Sequence, residues 1–237
     1  MMKKYDNFDD WAGGHLSESA DIRDFYNAHK GETCIIVSLG PNLKLTPPEW
    51  FDYPSFSINS IFKYEGWKPD YYVGVDDRLW RENTPVIMDK LAGVPKFIPT
   101  PDRDDIQGPN LYRFYHRPGD IYIGGQMPTH PDAMTKRGIA YRRVLGAVFQ
   151  IAYFMGFERM LVIGVQHKPG TSREHFWGHD DGVIVNQPLV HWFDEYRQWA
   201  HFGKAEVLNI SEDTYVPENI IPRGNWRDWY TVETVTA

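Results

Sequence analysis

One cysteine, Cys34, is all the chain holds among its 237 residues. A disulfide framework is therefore excluded, and so is a cysteine-ligated metal centre. Long apolar runs are missing too. No stretch approaches the roughly 20 residues that span a bilayer, and the opening MMKKYDNFDDWAGG holds no apolar signal core. Positive charge is in deficit, with 25 Lys and Arg against 32 Asp and Glu and a net charge of −7. Wrapping a phosphate backbone needs a basic surface, so a nucleic acid is a disfavoured acceptor, served at most by a local basic cleft. These absences lead to the expectation of a cytoplasmic protein with no transmembrane segment. Internal repeats and linker-like breaks in composition are also lacking. The length then fits one domain over residues 31–237, preceded by an N-terminal lead-in and helix over residues 1–30.

What is abundant is aromatic: 15% Phe, Trp and Tyr, with nine Trp. That suits a dense core and also clefts that stack on sugars or bases. SESADIRDFYNAHKG reads as a short helix, with Ser17 or Ser19 as cap, Ile22, Phe25 and Tyr26 on one face, and Gly31 as stop. Strands are expected at Cys34–Ser38, Ser55–Asn59, Tyr71–Val75 and within VPKFIPT. Residues 101–138, rich in Pro, Gly and Asp, read as irregular, with an extended piece at Asp120–Ile123. The longest helix is placed at Ile139–Met155 and is ended by Gly156. RMLVIGV follows as a buried strand, then a loop dense in His and Gly, an amphipathic helix PLVHWFDEYRQWAHFG, and a last strand AEVLNIS. Strands alternating with helices indicate an α/β fold: one Rossmann-like domain with a mainly parallel central sheet flanked by helices.

Ligands of such sheets bind beyond the carboxyl ends of the strands. Four predicted strand ends carry polar residues, in SLGPN, INS, VDDR and GVQHK. Turn formation explains any one of them, because Asn and Asp suit turns. Four on one edge point to a site. The abrupt stop of CIIVSLGPNL at Gly40 fits a turn that carries backbone N–H groups to a phosphate. His167, His175 and His179 crowd the segment HKPGTSREHFWGHD together with Lys168 and Arg173. His175 and His179 have a zinc-like spacing, yet Pro169, Gly170 and Gly178 oppose the helix this needs, and no HExxH motif occurs. A histidine in a cationic, glycine-rich loop suits a general base instead. His167 reads equally well as a loop residue without a role. Arg142 and Arg143 open the predicted long helix, where guanidinium groups and the helix dipole suit a phosphate. As surface partners for carboxylates they are explained just as well.

In order and spacing, IIVSLGPNL, FSINSIFKYEGWKPDYYVGVDD, VFQIAYFMGFERMLVIGVQH, HFWGHD and LNIS resemble the bacterial DUF115-type family. More distantly they are similar to the lipo-oligosaccharide sialyltransferases, which use CMP-sialic acid. The likeness runs from about Lys30 to Ser211. It implies a single GT-A-like domain, a nucleotide-sugar donor bound across the first strand ends, no required metal, and a histidine base. It implies a nucleotide-binding turn at Gly40, Pro41 and Asn42, and a nucleotide-binding Asn59 with Ser60 beside it. It implies a third strand-end contact at Asp76 and a base at His179, with His175 as its rival. The family's phosphate tyrosines have no counterpart here, and Lys168, Arg173, Arg142 and Arg143 are expected on the phosphate in their place.

The expected activity is a glycosyltransferase that moves a sugar from a nucleotide donor to a glycan or other hydroxyl acceptor. An alternative within the same family is an Mg2+/ATP-dependent pyrophosphokinase of the 6-hydroxymethylpterin diphosphokinase type, with Asp76 and Asp77 on the Mg2+. A non-catalytic nucleotide- or glycan-binding protein is the third. Homo-oligomerisation is left open.

Overall fold

The computed structural model describes residues 21–100, 105–116, 129–135, 138–139, 141, 143–168, 174–179, 193, 195–197, 200 and 205–231. Seven strands make one sheet: β1 (Thr33–Val37), β2 (Ser55–Ile58), β3 (Tyr71–Val73), β4 (Lys96–Thr100), β5 (Leu111–Tyr115), β6 (Arg159–Ile163) and β9 (Glu206–Asn209). All neighbouring pairs are parallel, in the order β5-β4-β3-β2-β1-β6-β9. A separate antiparallel hairpin joins β7 (Glu174–His175) to β8 (Gly178–His179). The α/β class with a parallel sheet is therefore as expected.

A parallel sheet covered on both faces is built from near-continuous apolar runs. β1 and β6 conform and lie side by side, with Ile35 opposite Leu161 and Val37 opposite Ile163. β2 carries two buried serines, which the fold satisfies. Ser57 Oγ donates to Val37 O at 2.9 Å, and Ser55 donates through its N–H and Oγ to Asp70 at 2.8 and 2.7 Å.

Helix α1 (Asp77–Lys90) is not legible as a helix from periodicity. It contains Pro85, and only Trp80 and Ile87 are buried. Its ends and one anchor hold it instead. Asp76 caps it by accepting the Leu79 N–H at 3.3 Å, and the fully buried Trp80 donates Nε1–H to Gly74 O at 3.0 Å. Helix α2 (Val144–Phe154) is apolar almost all round and packs against the sheet. Burying each Leu, Ile or Phe is worth about 1.5–3 kcal/mol. That outweighs the few tenths by which Val, Ile and Phe disfavour a helix. It starts later than expected because Ile139 bridges to His116 and Arg143 takes the N-cap.

Two further expectations are corrected. The segment before β1 holds a 3-10 turn, Ile22–Phe25, capped by Asp21, where a longer helix is expected. It is also part of the core: Ile22 is buried, and the Asn27 and His29 N–H groups donate to Phe154 O and Met155 O at 3.1 and 2.8 Å, closing the end of α2. β5 lies inside the stretch read as irregular, while Asp120–Ile123 falls outside the described residues. Helical backbone at 193, 195–197 and 200 lies within the amphipathic segment. Among the described residues no helix is long and apolar enough to cross a membrane.

Candidate functional site

The chain leaves β1 towards β2 on one side and later returns to place β6 on the other. The β1/β6 border is therefore the topological switch point, where the connections diverge and open a crevice beyond the strand ends. A cavity of about 410 Å³ lies there. Ser38–Pro41 follow β1 into its wall, Ile58 and Asn59 end β2, Val75 and Asp76 follow β3, and Gly164–His167 follow β6. Arg143 and the first residues of α2 line it, as do His175 of the hairpin and Tyr196.

Gly40 serves this crevice differently from the expected phosphate turn. Its N–H donates to Gly164 O at 2.7 Å, and a Cβ at position 40 would lie 2.5 Å from that same oxygen. Gly164 adopts φ +72°, and its own Cβ would lie 2.5 Å from Ser38 O. The two glycines let the loops after β1 and β6 touch backbone to backbone. Pro41 lines the cavity, whereas Asn42 does not. Asn42 is buried and donates Nδ2–H to Glu212 O at 2.8 Å.

Asn59 is held in a rarely populated backbone state, φ 39°. The Tyr72 hydroxyl fixes it there by donating to Asn59 O at 2.8 Å. Burial, with the Asp76 charge beside it, raises the pKa of that phenol and keeps the donor protonated. Asn59 lines the cavity, and its Oδ1 is buried with no hydrogen-bond partner. Ser60 does not line the cavity. Asp76 does, with one carboxylate oxygen committed to its helix cap. Asp77 pairs with Arg81 at 2.7 Å on the surface of α1, so the two aspartates face different partners.

Another part of the wall is built around the start of α2. Arg143 is the N-cap, and Glu195 Oε1 accepts its backbone N–H at 3.4 Å. Gly146 permits this, because any Cβ there would overlap the Glu195 carboxylate. His167 sits at φ 50° beside this group. Its ring is desolvated and close to the Arg143 charge, which together push its pKa down to about 4. The imidazole is therefore neutral at pH 7, and its Nε2 shares a hydrogen bond with the Tyr196 hydroxyl at 3.1 Å. Burial and the Glu195 charge raise the Tyr196 pKa, against the opposing pull of Arg143.

The hairpin supplies the remaining wall. The Phe176 N–H donates to Leu39 O at 3.0 Å, tying the hairpin to the loop after β1. His175 stacks on Trp177 with centroids 4.3 Å apart, and Lys63 Nζ lies 4.4 Å from the Trp177 ring centroid. His179 pairs with Glu174 across the hairpin, but its side chain is outside the described residues, as are Arg142 and Arg173. Lys168 is exposed and does not line the cavity. Among the described residues no group of three or more His, Cys, Asp or Glu gathers as a metal site would.

No protein family, curated protein or solved structure was found to match the chain. The structure brings together Gly40, Pro41, Asn59, Asp76, Arg143 and His175, and leaves Asn42, Ser60, Asp77 and Lys168 off the cavity wall. It adds Tyr196 and, behind Arg143, Glu195. The one sequence signal for these was a Glu-Tyr pair in the amphipathic segment. Phe193, Tyr196 and Ala200 follow its apolar spacing, and the buried Glu195 breaks it.

Proposed function

We propose that the protein is a glycosyltransferase that holds a nucleotide-activated sugar in the crevice between the ends of β1 and β6. The observation that carries this reading is the cavity at the switch point, where four strand ends deliver polar groups to one volume of ligand size. In this reading Asn59 offers its unsatisfied Oδ1 to an N–H or O–H donor of the nucleotide. Arg143 faces the leaving phosphate, where charge develops as the sugar–oxygen bond breaks. A histidine removes the acceptor hydroxyl proton while the acceptor oxygen bonds to the sugar carbon and the nucleotide departs with the electron pair.

Among the described histidine side chains His175 suits that base. His167 is held neutral to about pH 4 with Nε2 already engaged, which leaves it a weak acceptor of protons. His175 lines the cavity on a tethered hairpin. A positioned base contributes about 10²–10⁴-fold in rate. His175→Ala is expected to lower kcat by that order with donor affinity retained. A collapse in His179→Ala with normal turnover in His175→Ala moves the role to His179.

A thermal-shift panel of CMP-, UDP- and GDP-sugars, set against ATP with and without Mg2+, tests the donor class. Stabilisation by a nucleotide-sugar, with sugar transfer that survives EDTA, is the expected result. Stabilisation by Mg2+/ATP alone, with pyrophosphate transfer, assigns the cavity to the pyrophosphokinase reading. Tight binding without turnover leaves a binding protein.

A further inference from the structure

A base must be held still to take a proton, yet His175 stands on a hairpin of only two residues per strand. Such a hairpin is marginal by itself. The fold secures its backbone at Phe176, whose N–H donates to Leu39 O at 3.0 Å and whose buried ring meets Tyr64 with centroids 5.1 Å apart. Those contacts fix the main chain. They do not set the angle of the imidazole.

The neighbouring indole does. The His175 ring lies flat on Trp177, with centroids 4.3 Å apart and planes 13° from parallel. That contact fills one face of the indole. Lys63 Nζ lies over the same ring, 4.4 Å from its centroid, and so takes the other face. The order is ammonium, indole, imidazole. His175 lines the crevice, whereas Trp177 and Lys63 do not.

The indole is not placed by its polar atom. Trp177 Nε1 is buried with no hydrogen-bond partner among the described residues, although a buried indole N–H ordinarily finds one. An unmet donor opposes folding, so the ring is held by its faces and by Phe176, which meets it edge-on at 4.7 Å and 87°. The indole is kept where it serves the imidazole and not where it would satisfy itself.

We propose that Trp177 is a positioning residue, which holds the His175 imidazole at the angle from which it takes the acceptor proton. The inference rests on the glycosyltransferase reading with His175 as its base. An imidazole turns about two side-chain bonds, and a flat partner removes the turns that carry its nitrogens away from the crevice. Stacking uses the face of the ring and not those nitrogens.

Proton NMR and steady-state kinetics of the full chain test this together. An indole stacked at this distance shifts the His175 ring protons upfield, and their resonances are assigned by their loss in His175→Gln. Trp177→Leu should abolish the upfield shift and lower kcat about ten- to a hundredfold, the scale of a group misplaced by about 1 Å. Donor KM and the thermal shift produced by a nucleotide-sugar should not change. Trp177→Phe, which keeps a flat face against the imidazole, should recover most of the rate. No upfield shift in the wild-type chain overturns the stack and the proposal. A full rate in Trp177→Leu beside a collapse in His175→Ala overturns the positioning role and keeps the base. Loss of donor binding along with the rate, or equal losses in Trp177→Leu and Trp177→Phe, makes Trp177 scaffold alone and overturns it too. A full rate in His175→Ala removes the base and the inference with it. Absence of transfer from every donor removes the glycosyltransferase reading and the inference together.

Discussion

His29, at the amino-terminal edge of the sheet, has both ring nitrogens engaged: Glu32 at 2.9 Å and the Tyr71 hydroxyl at 2.6 Å, with the ring stacked on Phe157 at 4.5 Å. Nearby, the Asp70 carboxylate takes two donors from Ser55, and the buried Lys96 donates to Val94 O at 2.9 Å. Asn59 and His167, at the opposite edge, sit at φ 39° and 50°, and Asn59 keeps a buried oxygen with no partner. Both edges belong to one sheet and one core. Left-handed backbone occurs at both, at Asn27 and Asn110 as at Asn59 and His167, so the difference is that the amino edge closes its polar groups on each other whereas the carboxyl edge keeps a buried acceptor without a partner. A buried acceptor left without a partner calls for an explanation, and a ligand's donor is one.

The largest expected effect breaks the support of the carboxyl edge. Gly164→Ala forces a side chain into φ +72° and against Ser38 O. A left-handed residue costs about 1–2 kcal/mol and overpacking about 1–3. Urea unfolding should show a loss of about 2–5 kcal/mol. A change under about 0.5 kcal/mol, the range of an ordinary surface substitution, would mean that the loops after β1 and β6 do not need their backbone contact.

The next effect depends on pH. The folded His167 pKa of about 4 lies below the ordinary histidine value. As pH falls from about 6.5 the unfolded chain binds a proton that the folded chain refuses, so stability is lost down to the folded pKa. The full loss is about 3 kcal/mol at 1.36 kcal/mol per unit of pKa. His167→Asn, which tolerates the left-handed backbone, should flatten the stability profile between about pH 6.5 and 4. An unchanged acid slope would show that another group near Arg143, Glu195 and Tyr196 carries it.

Smaller effects sharpen the contrast between the edges. His29→Ala should cost about 1–3 kcal/mol by leaving Tyr71 and Glu32 without their shared partner, while ligand binding at the far edge stays normal. Asn59→Gly should do the reverse. Glycine accepts φ 39° without strain, so stability should remain within about 1 kcal/mol of the parent while nucleotide affinity is lost. Equal stability losses in the two variants would dissolve the distinction between a closed edge and an open one.

Most strands, and the chemistry at their ends, are legible in the order of the residues. TCIIV and RMLVI are apolar because both faces of a parallel sheet are covered, while Asn59 follows β2, Asp76 follows β3 and Arg143 caps α2. That order does not reveal α1, whose stability rests on the Asp76 cap and the Trp80 anchor, nor β5, which a Pro- and Gly-rich context hides. That β6 lands beside β1, and with it where the crevice opens, follows from the strand order of the folded sheet. Only contact across the fold gave Gly40 its partner in Gly164, joined Tyr196 to His167, and seated Glu195 against Gly146. Local patterns record which face of an element is buried and how a strand ends. They do not record which distant backbone, hydroxyl or carboxylate will be packed against that end, because this follows from strand order and loop closure over more than a hundred residues, between Gly40 and Gly164.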